Sequence, residues 1–511
     1  MTTTTMPALD DNDAHALEAR RLGIHTQQEM LVFMRTDCPV CRSEGLSARS
    51  QVRIKSAKQE IIATLYPVSA DFLGIHDVGL SEAAWRGLEV ADGDTLTVRH
   101  AESAESLGKV RHRIYGHRLD REAFGQIMSD IVAGRFSDVH LAAFVTACAS
   151  VPLDERETTD LTRVMVDVGE RLSWPGSPIV DKHSVGGLPG NRTTPIVVAI
   201  VASHGLIMPK TSSRAITSPA GTADTMETMA PVNLDLAAIR RVVEQESGCI
   251  VWGGSVRLSP ADDILIRIER ALEIDTEGQL IASVLSKKIA AGATHLVLDI
   301  PVGPTAKVRS NEAAMALSGR LVEVGNTFGL STRVSISDGR QPIGRGIGPA
   351  LEARDVLAVL QGISGAPLDL RDRACTLAGV LLELGGRARS GEGKGVAEQT
   401  IADGRAWAKF QRICEAQGGM RVPGVSSHRH PLVASQSGIV ADIDNRKLSK
   451  LAKLAGAPEA KAAGVEMHVR LGDAVTQSEP LCTVHAESKG ELQYALDYAA
   501  LYDEIFQVEP S

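Results

Sequence analysis

From residue 179 to residue 348, short apolar runs alternate with helix-like segments, and a loop rich in glycine, hydroxyls or charge stands at each junction. Ile179-Val180, residues 206–210, 295–300 and 332–337 read as strands. Residues 195–204, 223–229, 279–290 and 311–328 have helical periodicity. An apolar run at 264–268 lies between two of these units. Strand, loop and helix in repetition constrain the fold strongly. Successive strands must be joined by helical crossovers, so they lie mainly parallel, with their ligand loops at the C-terminal ends. The expectation is an α/β protein built on a mainly parallel sheet.

The densest junction is Asp181-Lys182-His183-Ser184-Val185-Gly186-Gly187-Leu188-Pro189-Gly190-Asn191-Arg192-Thr193-Thr194, followed at once by an apolar helix from Pro195. Small residues let backbone N–H groups crowd an oxyanion, and a following helix directs its positive end at it. Lys182 adds a point charge, and Ser184 and Thr194 add hydroxyl donors. It is not a Walker loop, because the lysine precedes the glycines. A second hydroxyl-rich loop, Ser212-Ser213-Arg214-Ala215-Ile216-Thr217-Ser218-Pro219-Ala220-Gly221-Thr222, has the same place in its own unit. If the two strands are parallel neighbours, both loops open on one sheet edge. Lys182, Ser184, Thr194, Ser212 and Thr222 can then hold one tetrahedral oxyanion from two sides. The bland alternative is a pair of βα turns with Ser and Thr as caps.

Other candidates flank this pair. His183 beside the anion can donate a hydrogen bond to a leaving group, since its ordinary pKa lies near working pH. Asp275 is a second candidate acid, or a helix N-cap. Ser283 and Lys287 share a helical face by i, i+4 spacing, whereas Lys288 is expected to point elsewhere. Lys307 follows Gly303-Pro304-Thr305 at a strand end, in reach of a phosphate or base.

On either side the pattern changes. Residues 1–55 are polar and without a sustained period, and read as a loosely held extension. Short strand-like runs follow, among them 61–68, Leu88-Glu89-Val90 and 95–99, and predict a β-rich domain over 56–105. A helical layer begins after Gly108, with Asp120 as an N-cap and helices over about 139–150 and 155–172. After Pro423 short strands with glycine turns return and predict a small C-terminal domain over 423–511. The net charge of −9 and an aromatic content of 3% argue against a nucleic-acid surface. No run reaches the length of a membrane span, no secretory-type leader is read at the N-terminus, and the odd cysteine count of 7 fits a reducing compartment. Cytoplasm is the expected address. Cys38-Pro39-Val40-Cys41 is the one close cysteine pair, without a second CxxC or CxxH to complete a zinc site.

The motifs Asp181-Lys182-His183-Ser184-Val185-Gly186-Gly187, 213–222 and Ser283-Val284-Leu285-Ser286-Lys287-Lys288 resemble the thymidine phosphorylase family. The resemblance is above all to its long-form branch, which also contains the archaeal AMP phosphorylases, and covers about residues 60–505. It implies a helical domain (106–172 with 260–292) beside a larger mixed α/β domain (173–259 with 293–422), flanked by small N- and C-terminal β-rich domains. It further implies a cleft that closes between domains, homodimers packed through the helical domain, and phosphorolysis. In that reaction phosphate attacks the sugar C1′ and the base leaves; inorganic phosphate is a substrate and no cofactor is needed. By motif, Lys182, Ser184, Thr194, Ser212 and Thr222 would bind phosphate. Gly187, Ser213, Arg214, Ala215, Ile216, Thr217, Ser218, Ser283, Lys287 and Lys307 would line the nucleoside or nucleotide site. His183 would face the base and Asp275 would be the proton donor. Arg267 and Arg270 both lie near the place of the short form's base-binding arginine.

Two substrates stay open on these residues: a pyrimidine nucleoside such as thymidine, or a nucleoside 5′-monophosphate with Lys307 and residues 213–218 taking the extra phosphate. A phosphoribosyltransferase would instead want an acidic magnesium site, for which Asp262-Asp263 is the nearby pair. A carrier module at the C-terminus would need a lysine on a hairpin tip, and the turn at Gly472-Asp473 has none.

Overall fold

The computed structural model describes residues 16–510 other than Gln28, Ile216, Thr217 and Asp275. Of these, the residues up to Pro152 with Arg267–Thr276 form one compact unit. Leu153–Ile266 with the residues from Glu277 onward form the other.

The first unit begins with a closed six-stranded barrel of β1 (Ala16–Arg21), β2 (Leu31–Arg35), β3 (Gln51–Lys55), β4 (Glu60–Val68), β5 (Asp77–Leu80) and β6 (Thr95–His100), in the order β1-β5-β2-β4-β3-β6. Half of it comes from the stretch expected to be a loose polar extension. That expectation fails because each short strand buries only alternate residues: Leu17 and Ala19 in β1, Val32 and Met34 in β2, Val52 and Ile54 in β3. The period of two hides a core face behind polar neighbours. Closure then pairs every edge, so no long apolar run is needed. The barrel carries α1 (Pro39–Ser43) and α2 (Glu82–Leu88), the latter capped by Ser81, which accepts from Ala84 N. Leu88-Glu89-Val90 is therefore a helix end, with Glu89 left-handed at the C-cap, rather than a strand. The unit continues with α3 (Leu107–Ile114), α4 (Arg121–Val132) and α5 (Asp138–Ser150). Asp120 caps α4 as expected, accepting from Ala123 N at 2.8 Å.

The second unit is organised by parallel strands: β7 (Val180–Ser184), β8 (Met208–Ser212), β9 (Gly248–Trp252), β10 (His295–Val302) and β11 (Ser331–Asp338). β11-β10-β7 form one parallel ladder and β8-β9 another. A parallel bridge between Ile179 and Ile207, with Val180 N donating to Ile207 O at 2.9 Å, joins them. The strands bearing the two hydroxyl-rich loops are thus parallel neighbours, and both loops leave from the same edge.

The helices of this unit that matter to the site are α6 (Glu155–Asp167), α7 (Thr193–Ser203), α8 (Thr222–Glu227), α9 (Leu236–Glu246), α10 (Pro260–Leu272, whose end from Arg267 belongs to the first unit), α11 (Glu277–Ala290), α12 (Asn311–Thr327), α13 (Pro349–Leu360) and α14 (Leu368–Leu384). α7 is apolar all round because it is buried all round: every residue from Ile196 to Ala202 lies in the core, against α14 and the helix Arg405–Ala416. α6 packs on α11 within this unit, whereas α3–α5 cluster with the barrel. The chain ends in a smaller α/β layer. It holds a sheet of Gly346–Ile347, Gly464–Met467, Pro480–Ala486 and His428–Val433, and one of Ala474–Val475, Gly438–Ile443 and Phe506–Glu509. None of the described helices is long and apolar enough to cross a membrane.

Candidate active site

β7 delivers Asp181, Lys182, His183 and Ser184 in sequence, and the buried strand forces polar side chains into the protein. The Lys182 ammonium, 1% exposed, donates to Thr193 Oγ1 at 2.6 Å, on the first residue of α7. Thr194 follows it, also buried. The loop can turn this tightly only with glycine at 190, where a Cβ would stand 1.9 Å from Ser184 Oγ. Gly187 is exposed with φ +54°, which favours glycine. Arg192, left-handed at the N-cap of α7, is wholly buried and pairs with Glu352 at 3.2 Å and Asp355 at 3.8 Å on α13.

The second loop is fastened to the first. Asn191 Nδ2 donates to Ala220 O at 3.1 Å, and Thr225 Oγ1 donates to Glu352 Oε2 at 3.1 Å. Within it, Ala215 N and Gly221 N both donate to Asp224 Oδ2, at 2.6 and 3.0 Å. A Cβ on Gly221 would meet Arg214 C at 2.5 Å, so the loop closes on itself only there. The Arg214 guanidinium is engaged by Glu227 through two bonds of 2.8 Å, by Asp224 at 3.1 Å, and stacks over Trp252. It holds the loop's shape. Ser218 Oγ donates to Ala220 O at 2.7 Å, Ser213 is exposed, and half-buried Thr222 opens α8. Ile216 and Thr217 lie outside the described residues. Ser212 is buried, and among the described residues its hydroxyl has no hydrogen-bond partner.

Under the loops lies a charge cluster only partly visible in the sequence. Asp181 is bracketed by Lys210 Nζ at 3.2 Å and Lys288 Nζ at 2.9 Å. Asp299, on β10, accepts from Ser184 Oγ at 2.9 Å, Ser337 Oγ at 2.7 Å and Arg373 Nη1 at 3.1 Å. Four cationic side chains (Lys182, Lys210, Lys288 and Arg373) thus face two carboxylates, Asp181 and Asp299. Burial pushes Lys182 down to about 8 although Asp299 and Asp181 pull it back, and pushes Lys210 down to about 7 against Asp181. His183, desolvated and beside Lys288, Lys210 and Lys182, is held well below its ordinary value and is neutral at pH 7. For Asp181 burial pulls upward, but Lys210 and Lys288 outweigh it and leave the carboxyl below its usual range. A buried excess of cationic groups is a charge arrangement that a small polyanion can balance.

The helix α11 brings a correction. Lys287, expected to share a substrate-facing side with Ser283, is bound by Asp262 at 2.5 Å and Asp263 at 3.6 Å. Lys288, expected to point elsewhere, is the buried partner of Asp181. Periodicity relates Lys287 to Ser283 but does not say which face of α11 turns to the strands; packing on α6 and β10 decides that. The pairing with Lys287 also occupies the carboxylates considered for magnesium. Ser283 is half-buried, and Lys307 is exposed in the loop after β10. Asp275 lies outside the described residues. Arg267, considered for a base, makes a two-bond pair with Asp138 at 2.7 and 2.9 Å. Asp181, Thr193, Lys210, Lys288, Asp299, Ser337 and Arg373 were all missed as site residues. The available signal was an acid in the middle of an apolar strand, as at Asp299.

Comparison with known proteins identifies the family. Residues 176–407 match the model described as "Glycosyl transferase family, a/b domain", and residues 106–169 the corresponding "helical bundle domain". Residues 439–502 match the "Pyrimidine nucleoside phosphorylase C-terminal domain". The chain is 62% identical over 510 residues to a Chelativorans sp. (strain BNC1) protein named "Putative thymidine phosphorylase", covering 100% of both chains. It is 64% identical over 505 residues to the protein of the same name in Sphingopyxis alaskensis, covering 99% of this chain and 98% of the relative. Among solved structures, anthranilate phosphoribosyltransferase (TrpD) from Thermus thermophilus is similar over 60% of this chain and 98% of its own, at 20% identity and a TM-score of 0.49. With full-length relatives at this identity and a glycosyltransferase domain carrying the buried lysine cluster, the chain belongs to the thymidine phosphorylase family of glycosyltransferases.

Proposed function

We propose that the protein catalyses phosphorolysis of a pyrimidine nucleoside, giving the free base and a pentose 1-phosphate. The observation that carries this reading is the Ser212 hydroxyl at the end of β8, without a hydrogen-bond partner among the described residues and one strand from Lys182 and its excess of buried positive charge. Lys182, Ser184, Thr194, Ser212 and Thr222 hold phosphate, with its nucleophilic oxygen aimed at C1′. As that bond forms, the C1′–N bond breaks and its electron pair moves onto the base. Positioning and fixed charge supply most of the rate in such a reaction, because the transition state is oxocarbenium-like and needs its anionic nucleophile close. Neutral His183 donates a hydrogen bond to the departing base, and Asp275 supplies the proton. Gly187, residues 213–218 and Ser283 line the nucleoside. The reaction uses no cofactor, since phosphate is itself a substrate. A homodimer in the cytoplasm completes the reading.

A second reading, with the same chemistry, takes nucleoside 5′-monophosphates and yields a pentose 1,5-bisphosphate. It is favoured by Lys307, exposed beyond the C-terminal end of β10 beside β7. Phosphate-dependent base release from thymidine, uridine, AMP and CMP in parallel separates the two. Cleavage of the nucleosides alone supports the first; cleavage of the monophosphates alone, lost in Lys307→Ala, supports the second. Release from none, or release that survives Lys182→Ala, removes phosphorolysis altogether.

A further inference from the structure

The first unit contains a reactive-group pair that phosphorolysis does not use. Cys38 and Cys41 flank the start of α1, between β2 and β3, and both are buried in the barrel core, 0% and 4% exposed. The segment is held firmly: Cys38 N donates to Arg35 O at 3.0 Å, Arg42 N to Cys38 O at 3.1 Å, and Leu46 N to Cys41 O at 2.9 Å. The turn sets the two side chains on one side, where the Cys41 thiol favours the thiolate form of Cys38 and is itself held protonated. Two cysteines three positions apart across one helical turn lie within the span a disulfide bridges.

We propose that Cys38 and Cys41 form a redox-active dithiol, a modification site in the barrel that a peroxide closes to an intramolecular disulfide.

The chemistry balances with the peroxide as oxidant. The Cys38 sulfur attacks the O–O bond and becomes a sulfenic acid, and the leaving hydroxide takes a proton to become water. The Cys41 sulfur then attacks Cys38 sulfur, loses its proton, and expels a second water. Two thiols lose two electrons and one peroxide becomes two waters. Other cysteines of the chain are poor competitors. Burial pushes Cys249, Cys414 and Cys482 up to about 12 and Cys375 up to about 11, whereas the neighbouring Cys41 side chain brings Cys38 down to about 6. The thiolate is the attacking species, so oxidation begins at Cys38.

The test uses the full reduced chain, treated with hydrogen peroxide, denatured, alkylated and mapped by mass spectrometry. The expected result is a peptide carrying Cys38 and Cys41 that is lighter by two hydrogens and unalkylated, restored by dithiothreitol, while Cys249, Cys375, Cys414 and Cys482 are alkylated. Cys38→Ser and Cys41→Ser should each abolish the link. The wild-type map decides the matter even if a variant fails to fold. Alkylation of both cysteines at peroxide levels that oxidise other sites, or oxidation of Cys38 to sulfinic acid without a link, overturns the proposal.

Discussion

Lys288 Nζ lies 2.9 Å from Asp181 Oδ2, deep under the two loops, with Lys210 at 3.2 Å on the other carboxylate oxygen. One acid on β7 therefore fixes a lysine from α11 and a lysine from β8. Because Asp181 is next to Lys182, the same pairing fixes the strand at the residue proposed to meet phosphate.

The first prediction concerns Asp181→Asn. The substitution keeps the shape but leaves two buried ammonium groups without their carboxylate. Breaking a buried pair in this way costs about 3–5 kcal/mol, because the remaining charges are uncompensated. Urea unfolding should show a loss of this size. Saturating phosphate should recover part of it in the variant, since a bound anion replaces some of the missing charge. A loss below about 1 kcal/mol would mean that the lysines deprotonate instead and that the cluster is not held charged.

Much of this arrangement was legible in the sequence, and the missing parts have a common cause. The loops after β7 and β8 announced themselves by local chemistry: glycine where the chain must turn or approach closely, hydroxyls at a helix start, apolar runs on either side. The parallel relation of the two strands followed from the helical crossovers between them. Lys288 did not announce itself. Neighbouring residues on a helix point about 100° apart, and only the packing of α11 decides which of Lys287 and Lys288 reaches the strands. Nothing in the local sequence around Arg373 marks it out from the other charged residues of α14, yet its guanidinium reaches Asp299 on β10. The barrel strands β1–β3 were hidden for a different reason: each buries two residues, and two alternating residues are no signal until the partner strand is known.

His183 gives a prediction for acid stability. Its native pKa is held well below the ordinary 6.5, by burial and by Lys288, Lys210 and Lys182. Below that ordinary value the unfolded chain takes up a proton that the native chain refuses, so stability falls as pH drops. His140, His204 and His295 are also shifted down and add to the trend. The difference between wild type and His183→Gln isolates the one residue. Urea unfolding at pH 7 and pH 5 should show a smaller loss in the variant. Equal losses would mean that His183 protonates freely in the native state.

The depressed lysines predict proton uptake on anion binding. At pH 8, Lys182 at about 8 is about half neutral and Lys210 at about 7 is mostly neutral. An anion beside them favours their charged forms, so binding raises both values and draws protons from solution. Affinity should fall as pH rises through this range. Sulfate is the better probe, because it does not titrate near pH 8 as phosphate does. Calorimetric titration of sulfate at pH 8 in two buffers of different ionisation enthalpy should give net uptake. Lys182→Met should reduce that uptake and weaken binding. Net release, or heats independent of the buffer, would put the anion elsewhere.

Ser212→Ala separates binding from folding. The Ser212 hydroxyl is buried without a partner among the described residues, so its removal forfeits no internal hydrogen bond and relieves a desolvated polar group. Stability should be unchanged or slightly higher. A hydrogen bond to a charged ligand is worth about 1.5–3 kcal/mol, which corresponds to a phosphate KM raised roughly 10- to 100-fold. The KM for the nucleoside should hardly move, since the hydroxyl is assigned to phosphate alone. Steady-state kinetics with each substrate varied in turn, beside a thermal melt, reads both effects. A destabilised variant with an unchanged phosphate KM would show that Ser212 serves the fold through a contact made in solution, and the phosphate site would then have to be drawn around Lys182 and the start of α7 without β8.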